Sequence, residues 1–289
     1  MNVIQEYRPS GRVVRAVRMA LARRRVVIGL VVLVMLVVAA WLGPMVAPWE
    51  AGERDYDAFL APPSASHWWG TDSTGRDVFV TTLVGLRKSL VLGLAVAVLS
   101  TAVAGVLGAV AGFYGGLTDR AFMRLADLLL ILPPFLILAT LASLAQGGGW
   151  VTFVLLLAGL LWMVTARMAR SMTLSLRQRD YVRAARYMGV PSHTIVLRHI
   201  MPNLAPLLTV DVTMNVSGAI VLESALSYFG FGLRYPDVSL GTLIADGSAH
   251  AITHPWTFAF CTGLLVVVVL AVHLIGDGLR DTLDPRTRR

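Results

Sequence analysis

The sequence has one lysine, one cysteine and few acids. Lys88 stands beside 24 arginines, Asp and Glu together number 17, and Cys261 lies alone in an apolar run. A single cysteine cannot close an internal disulfide. With no ligand partner near it, Cys261 reads as a small packing residue. There is no Gly-x4-Gly-Lys-Ser/Thr string, so the chain lacks the loop that cradles nucleotide phosphates. Nor does it carry a His/Cys/Asp/Glu cluster at metal-ligand spacing or a Ser/His/Asp set on one face. Any driven process must therefore draw its energy from another chain.

Long apolar runs are what the sequence has in abundance. Of 289 residues, 56% are hydrophobic and 15% charged, with a mean hydropathy of +0.69. A soluble domain cannot hide so much apolar surface, and the bilayer is the natural solvent. The net charge of +8 does not indicate nucleic acid, because the basic residues sit in segments between apolar runs. The expected architecture is all-α, a polytopic membrane protein of six transmembrane helices.

Residues 1–25 form a basic amino-terminal segment, and 26–47 hold the first span. That apolar run is too long for a cleaved signal peptide. Residues 48–87 are a mixed polar segment containing GTDSTGRD, Gly70 to Asp77. Thr71-Asp72 is a plausible helix cap there. Val78, Leu83, Leu86 and Leu90 then predict an amphipathic helix at the outer interface.

A five-helix core over 88–279 follows. Its first helix, Lys88 to Phe113, has two ladders of small residues four apart. One is Ala97, Thr101, Gly105 and Ala109, and the other is Ala104, Gly108, Gly112 and Gly116. Such ladders let membrane helices approach closely, so this span is expected at the centre of the bundle. The third span, Leu125 to Ala145, is interrupted by Pro133-Pro134 and predicts a kinked helix beside the pathway. A loop at Thr118–Arg124 precedes it, and a tight turn at Gln146–Gly149 leads to the fourth span, Trp150 to about Thr165.

In the fifth span, Leu204 to Leu222, Asp211 and Asn215 are four apart on one helix face. They could bond a neighbouring helix, line a pathway or couple protons. After Glu223, glycines around Phe229 and Phe231 suggest a re-entrant or gating loop. A last span, Thr257 to Ile275, precedes a short carboxyl-terminal tail, 280–289.

The loop over 171–202 joins the fourth and fifth spans. Within its stretch Asp180–Asn203, Asp180 is placed to cap a short helix and Gly189 to end it in a left-handed turn. Pro191-Ser192 starts a second helix, with Ile195, Val196, His199 and Ile200 on one face, and Pro202 stops it. Small Ala184 and Ala185 leave room for close approach. The pattern Ala184-Ala185-x3-Gly189, with Pro202 downstream, resembles the EAA loop of bacterial ABC importer permeases. Arg183 stands in place of the usual Glu, and His199 in place of the usual Ile.

His199 to Asn203 is similar to the oligopeptide/dipeptide branch. GTDSTGRD with Gly85-x-Arg87-x-Ser89-Leu90, ESALSYFGFGL (Glu223 to Leu233) and GDGLRDTLDPR (Gly276 to Arg286) resemble the C-type permease subunit of the same branch. Several such matches far apart are more specific than any one.

The resemblance implies a type I ABC importer permease fold in the bacterial plasma membrane. It implies a B-type partner permease, two cytoplasmic ATPase subunits that bind ATP and Mg, an extracytoplasmic solute-binding protein and a peptide substrate. Arg183, Ala184, Ala185, Gly189, His199 and Pro202 would form the ATPase-coupling loop. Pathway or gating candidates are Pro133, Pro134, Asp211, Asn215, Glu223 and Phe229. No cofactor is expected on this chain. With both termini cytoplasmic, only Arg54, Arg76, Arg87, Lys88 and Arg234 of the 25 basic residues fall outside, in accord with the positive-inside rule. Alternative solutes of this branch are nickel, glutathione or haem. An ion-coupled transporter using Asp211 or Glu223, or a non-transporting scaffold, would need no such loop.

Overall fold

The computed structural model describes residues 23–144, 149–233 and 237–283. The expected turn at 146–149 lies outside them except for Gly149, as do most of the basic amino terminus and the carboxyl-terminal tail. The helices are α1 (Arg24–Val46), α2 (Val78–Tyr114), α3 (Gly116–Ile131), α4 (Pro134–Leu144) and α5 (Gly149–Leu176). They continue as α6 (Asp180–Tyr187), α7 (Ser192–Ile195), α8 (Met201–Tyr228), α9 (Leu240–Ser248) and α10 (Trp256–Leu283). Five are long and apolar enough to cross a membrane: α1, α2, α5, the continuous run Ser192–Tyr228, and α10. The bent pair α3–α4 makes a sixth if taken as one span.

The axis of the bundle is α2, whose 37 residues give a rod of roughly 55 Å. Its small-residue ladders bring backbones together. A Cβ on Gly108 would lie 2.6 Å from the Ala166 carbonyl oxygen, and one on Gly112 would lie 2.8 Å from that of Arg170. Only glycine lets α5 come this close. On the α8 side the approach is looser: a Cβ on Gly93 would lie 3.1 Å from the Val216 carbonyl oxygen, and Gly105 makes room for the Leu208 side chain. The expected interfacial helix is not a separate element. Residues from Val78 onward are the first turns of α2 itself, capped by Asp77, whose carboxylate accepts from the Val80 N–H at 3.0 Å.

The third span is also not a single kinked helix. Helical structure already begins at Gly116, so the expected loop at Thr118–Arg124 is helical. Leu132 is extended (φ −79°, ψ 139°), because a proline pushes the residue before it out of the helical region. Pro133 has no N–H to continue the ladder. Helix α4 therefore departs at 92°, its first turn closed by Leu136 and Ile137 N–H groups on the Pro133 carbonyl.

Helix α1 packs along α10. A Gly29 Cβ would lie 2.7 Å from the Ala271 oxygen, and Arg23 pairs with Asp281 at 2.6 Å. Ala40 and Gly43 pack on Leu83 and Leu86 of α2, and the outer side of α1, with Val31, Val34, Met35 and Val38, is exposed and apolar, as suits a lipid-facing helix. One end of the bundle carries the α6–α7 hairpin. The opposite end is capped by residues 47–77 and α9.

We expect Gly108→Val to lower the thermal midpoint or yield of the purified chain sharply, since the backbone of α5 must move. Gly159→Ala, where nothing lies within 4 Å of the added carbon, should be neutral or stabilising by up to ~1 kcal/mol. Equal melting curves for the two variants would show that close approach does not hold α2 to α5.

Candidate functional site: the α6–α7 hairpin and the helices it joins

Asp180 does not cap α6. The preceding Arg179 occupies that position, without a side-chain bond, and Asp180 is the first helical residue. Gly189 does end it, at φ +77°, where an L side chain is strained. The Val190 N–H then donates to the Ala185 carbonyl at 3.1 Å, which turns the chain back on itself. Ala185 is 4% exposed. It packs inside the hairpin with Val182, Ile195, Val196 and Ile200, against Ala109 and Phe113 of α2. So Ala185 is not part of the outer surface, as its pairing with Ala184 had implied. Arg183, Ala184 and Pro202 are exposed, and His199 is half-buried with its ring 6.2 Å from that of Tyr181.

Sequence reasoning missed the apolar tip of the hairpin. Tyr187 and Met188 are 83% and 76% exposed, and Leu197 on α7's continuation is also exposed. Two large apolar residues just before the turn glycine of a basic stretch were the available signal.

Pro202 does not stop the second helix. The turn Val196–Ile200 is widened, with the Met201 N–H donating to the Val196 carbonyl five residues back. A π turn of this kind accommodates the proline ring. The Asn203 amide then donates to the His199 carbonyl at 2.6 Å. As a result Ser192 to Tyr228 is one continuous helical run.

The hairpin is also fastened to α2. Arg177 donates to the Gly112 and Phe113 carbonyls at 3.3 and 3.2 Å, satisfying the orphan acceptors at that helix end. Arg186 lies 5.1 Å over the Phe113 ring. Nearby, Arg170 forms a two-pronged pair with Asp119, and Arg167 pairs with Asp127, tying α5 to α3.

Of the pathway candidates, Asp211 and Asn215 form a polar node. Asp211 accepts from Thr101 of α2 and Thr165 of α5, both at 2.6 Å, and from Asn215 at 2.9 Å. Glu223 is fully buried between α8 and α9. Its Oε1 accepts from Ser227 and from Ser239, both at 2.6 Å. Ser239 caps α9, so Glu223 ties the capping layer to α8. Pro133 and Pro134 are exposed at the helix break. They bring Phe135 to 5.3 Å from Phe229, itself 63% exposed, and to 6.4 Å from Phe231.

Residues 104–289 match the family of binding-protein-dependent transport system inner membrane components. Residues 13–63 match the N-terminal TM domain of oligopeptide transport permease C. The chain belongs to this permease family. The chain is 45% identical over 273 residues to the oligopeptide transport system permease protein OppC of Mycobacterium tuberculosis, which covers 94% of each chain. It is 39% identical over 279 residues to a putative peptide permease protein of Brucella suis, covering 96% of this chain and 92% of that one. Bacillus subtilis OppC is 34% identical over 262 residues, with 91% and 86% covered. Like these relatives, the permease is a transport component and not an enzyme.

At the capped end of the permease, the GTDSTGRD segment is a structural turn. The Asp72 carboxylate accepts from the Thr74 N–H, the Thr74 hydroxyl and the Arg76 N–H at 2.7 to 3.0 Å. The cap of the following helix is Asp77, not Thr71-Asp72. The His67 ring lies buried between Asp77, at 3.0 Å, and Asp55, at 3.3 Å. A hydrogen bond from the Asp57 N–H, helped by His67, holds the Asp55 carboxyl below its ordinary value.

Asp211→Ala should lower the permease's stability by about 1–2 kcal/mol, because two threonine hydroxyls lose their acceptor. Asp211→Asn keeps one acceptor oxygen and should fall between. Melting curves in detergent test the order, and an alanine variant as stable as wild type would dissolve the node as a structural tie.

Proposed function

We propose that this permease is the C-type subunit of an importer of oligopeptides or dipeptides. In this reading, two separate ATPase subunits bind ATP and Mg, and their closure pulls the hairpin and switches the permease pair between inward- and outward-facing states. The carrying observation is the hairpin itself. An exposed Tyr187–Met188 tip suits docking into a cleft on another chain, and the base of the hairpin is anchored on α2 by Arg177. The printed names of the relatives support the peptide class. The skewed distribution of arginine supports both termini, and the hairpin, facing the cytoplasm where ATP is. A B-type partner permease and an extracytoplasmic solute-binding protein complete the assembly.

The same geometry weighs against proton coupling. Asp211 is committed to three donors, and Glu223 is closed in under α9. Arg183, Ala184, His199 and Pro202 remain candidates for the docking surface beside the tip, with Gly189 shaping it and Ala185 supporting it from beneath. The exposed Phe229, packed on the Pro133-Pro134 break, is the candidate for a gate.

Co-purification of the tagged chain expressed with its transport partners tests the reading. An ATPase should co-elute, and peptide-loaded binding protein should raise its hydrolysis rate. Tyr187→Ala with Met188→Ala, or Ala184→Glu alone, should cut the ATPase recovered by about tenfold, equivalent to ~1.4 kcal/mol. Gly189→Val should leave insertion intact and uncouple hydrolysis from uptake, since it strains the turn by ~1–2 kcal/mol. Elution of the chain alone, or unchanged uptake with Gly189→Val, would refute the coupling role.

A further inference from the structure

A cavity of about 400 Å³ opens at the capped end of the permease, between α1, α2, α5 and the residues before α9. Its charged groups are Arg87, Lys88 and Asp237. Lys88 is 2.5 Å from Asp237 and so is neutralised. Arg87 has no carboxylate partner among the described residues. Its guanidinium instead lies 5.9 Å from the centroid of the Trp41 ring. Among the described residues, the cavity lining thus carries one net positive charge. Leu92, fully buried, gives it an apolar floor, while Trp41 and Trp150 are exposed beside it.

The level of this cavity in the membrane can be read from the chain. After Arg87 and Lys88, residues 89–114 of α2 carry no charge, and after Trp150 none appears on α5 until Arg167. The two cations and the indole therefore stand where hydrocarbon begins. Indoles favour the headgroup level. An arginine held there, against an aromatic face and over apolar side chains, is costly without an anion. Its planar fork matches phosphate oxygens two at a time, which an ammonium does not.

We infer that this cavity is a binding site for an anionic phospholipid, with the phosphate on Arg87 and the acyl chains along the exposed apolar face of α1. Trp41 covers one face of the guanidinium. Lys88 serves to hold Asp237 away from the phosphate. The inference requires only that the chain spans a membrane, so it stands or falls separately from the peptide-import reading.

Native mass spectrometry of the full-length chain released from detergent provides the test, with phosphatidylglycerol, inorganic phosphate and a mixed tripeptide as separate probes. Wild type should retain one phosphatidylglycerol that neither phosphate nor peptide displaces at equal concentration. Arg87→Gln should weaken retention about tenfold, as expected for losing one charge near the headgroup. Arg87→Lys, which keeps the charge and is the milder change to the fold, should still weaken it several-fold because the fork is gone. Trp41→Phe should weaken it less. Retention by Arg87→Lys equal to wild type would overturn the lipid site. Displacement by inorganic phosphate would make it a free-anion site, and displacement by the peptide a substrate subsite; either result also overturns the proposal.

Discussion

Contact between backbones along α2 is the constraint on which the rest of the permease depends. In a bilayer, apolar side chains gain little by leaving lipid for protein, so helices are held by close packing and by polar ties between them. Gly108 and Gly112 bring α5 onto α2, and Gly93 brings α8 near it from another side, with Gly105 making room for the Leu208 side chain. Once the three helices are that close, Thr101, Thr165 and Asp211 come within hydrogen-bonding distance. The polar node therefore depends on the small-residue ladders, and it in turn fixes the rotation of each helix about its own axis.

The same arrangement places the hairpin. Phe113 and Ala109 at the end of α2 provide the surface on which Val182, Ala185, Ile195 and Ile200 pack. Arg177 satisfies the carbonyls that α2 leaves open there. What would otherwise be a basic loop between two spans becomes a seated element with an exposed apolar tip. At the other end, Glu223 and Ser239 fasten α9, and the His67–Asp77 contact fastens the turn before α2.

Features set by local chemistry were legible in the sequence. The left-handed turn at Gly189 follows from a glycine after an uninterrupted helical stretch, and the central position of α2 follows from its four-residue spacing of small side chains. Features set by partners distant in sequence were not. Nothing near Asp211 announces Thr101 or Thr165, which lie 110 and 46 residues away. The two prolines show why local rules run out. Pro133 has an extended Leu132 before it and turns the chain through 92°. Pro202 follows a widened turn and interrupts nothing. Ala184 and Ala185 are alike in sequence, yet the packing of α6 on α2 exposes one and buries the other.

The widened turn at Val196–Ile200 joins the hairpin to the fifth span without a break. Because the helix passes through it unbroken, the second arm of the hairpin and the helix ending beside Phe229 are one rod. Were the hairpin displaced, Asp211, bound on both sides, would be the point about which that rod turns. The arms from there to Ser192 and to Tyr228 are roughly 28 Å and 26 Å at the usual helical rise. A rod pivoted so near its middle neither magnifies nor shrinks a displacement, but reverses it. A push on the hairpin in one direction would reach Phe229 and the Phe135 ring it touches as a shift of similar size in the other.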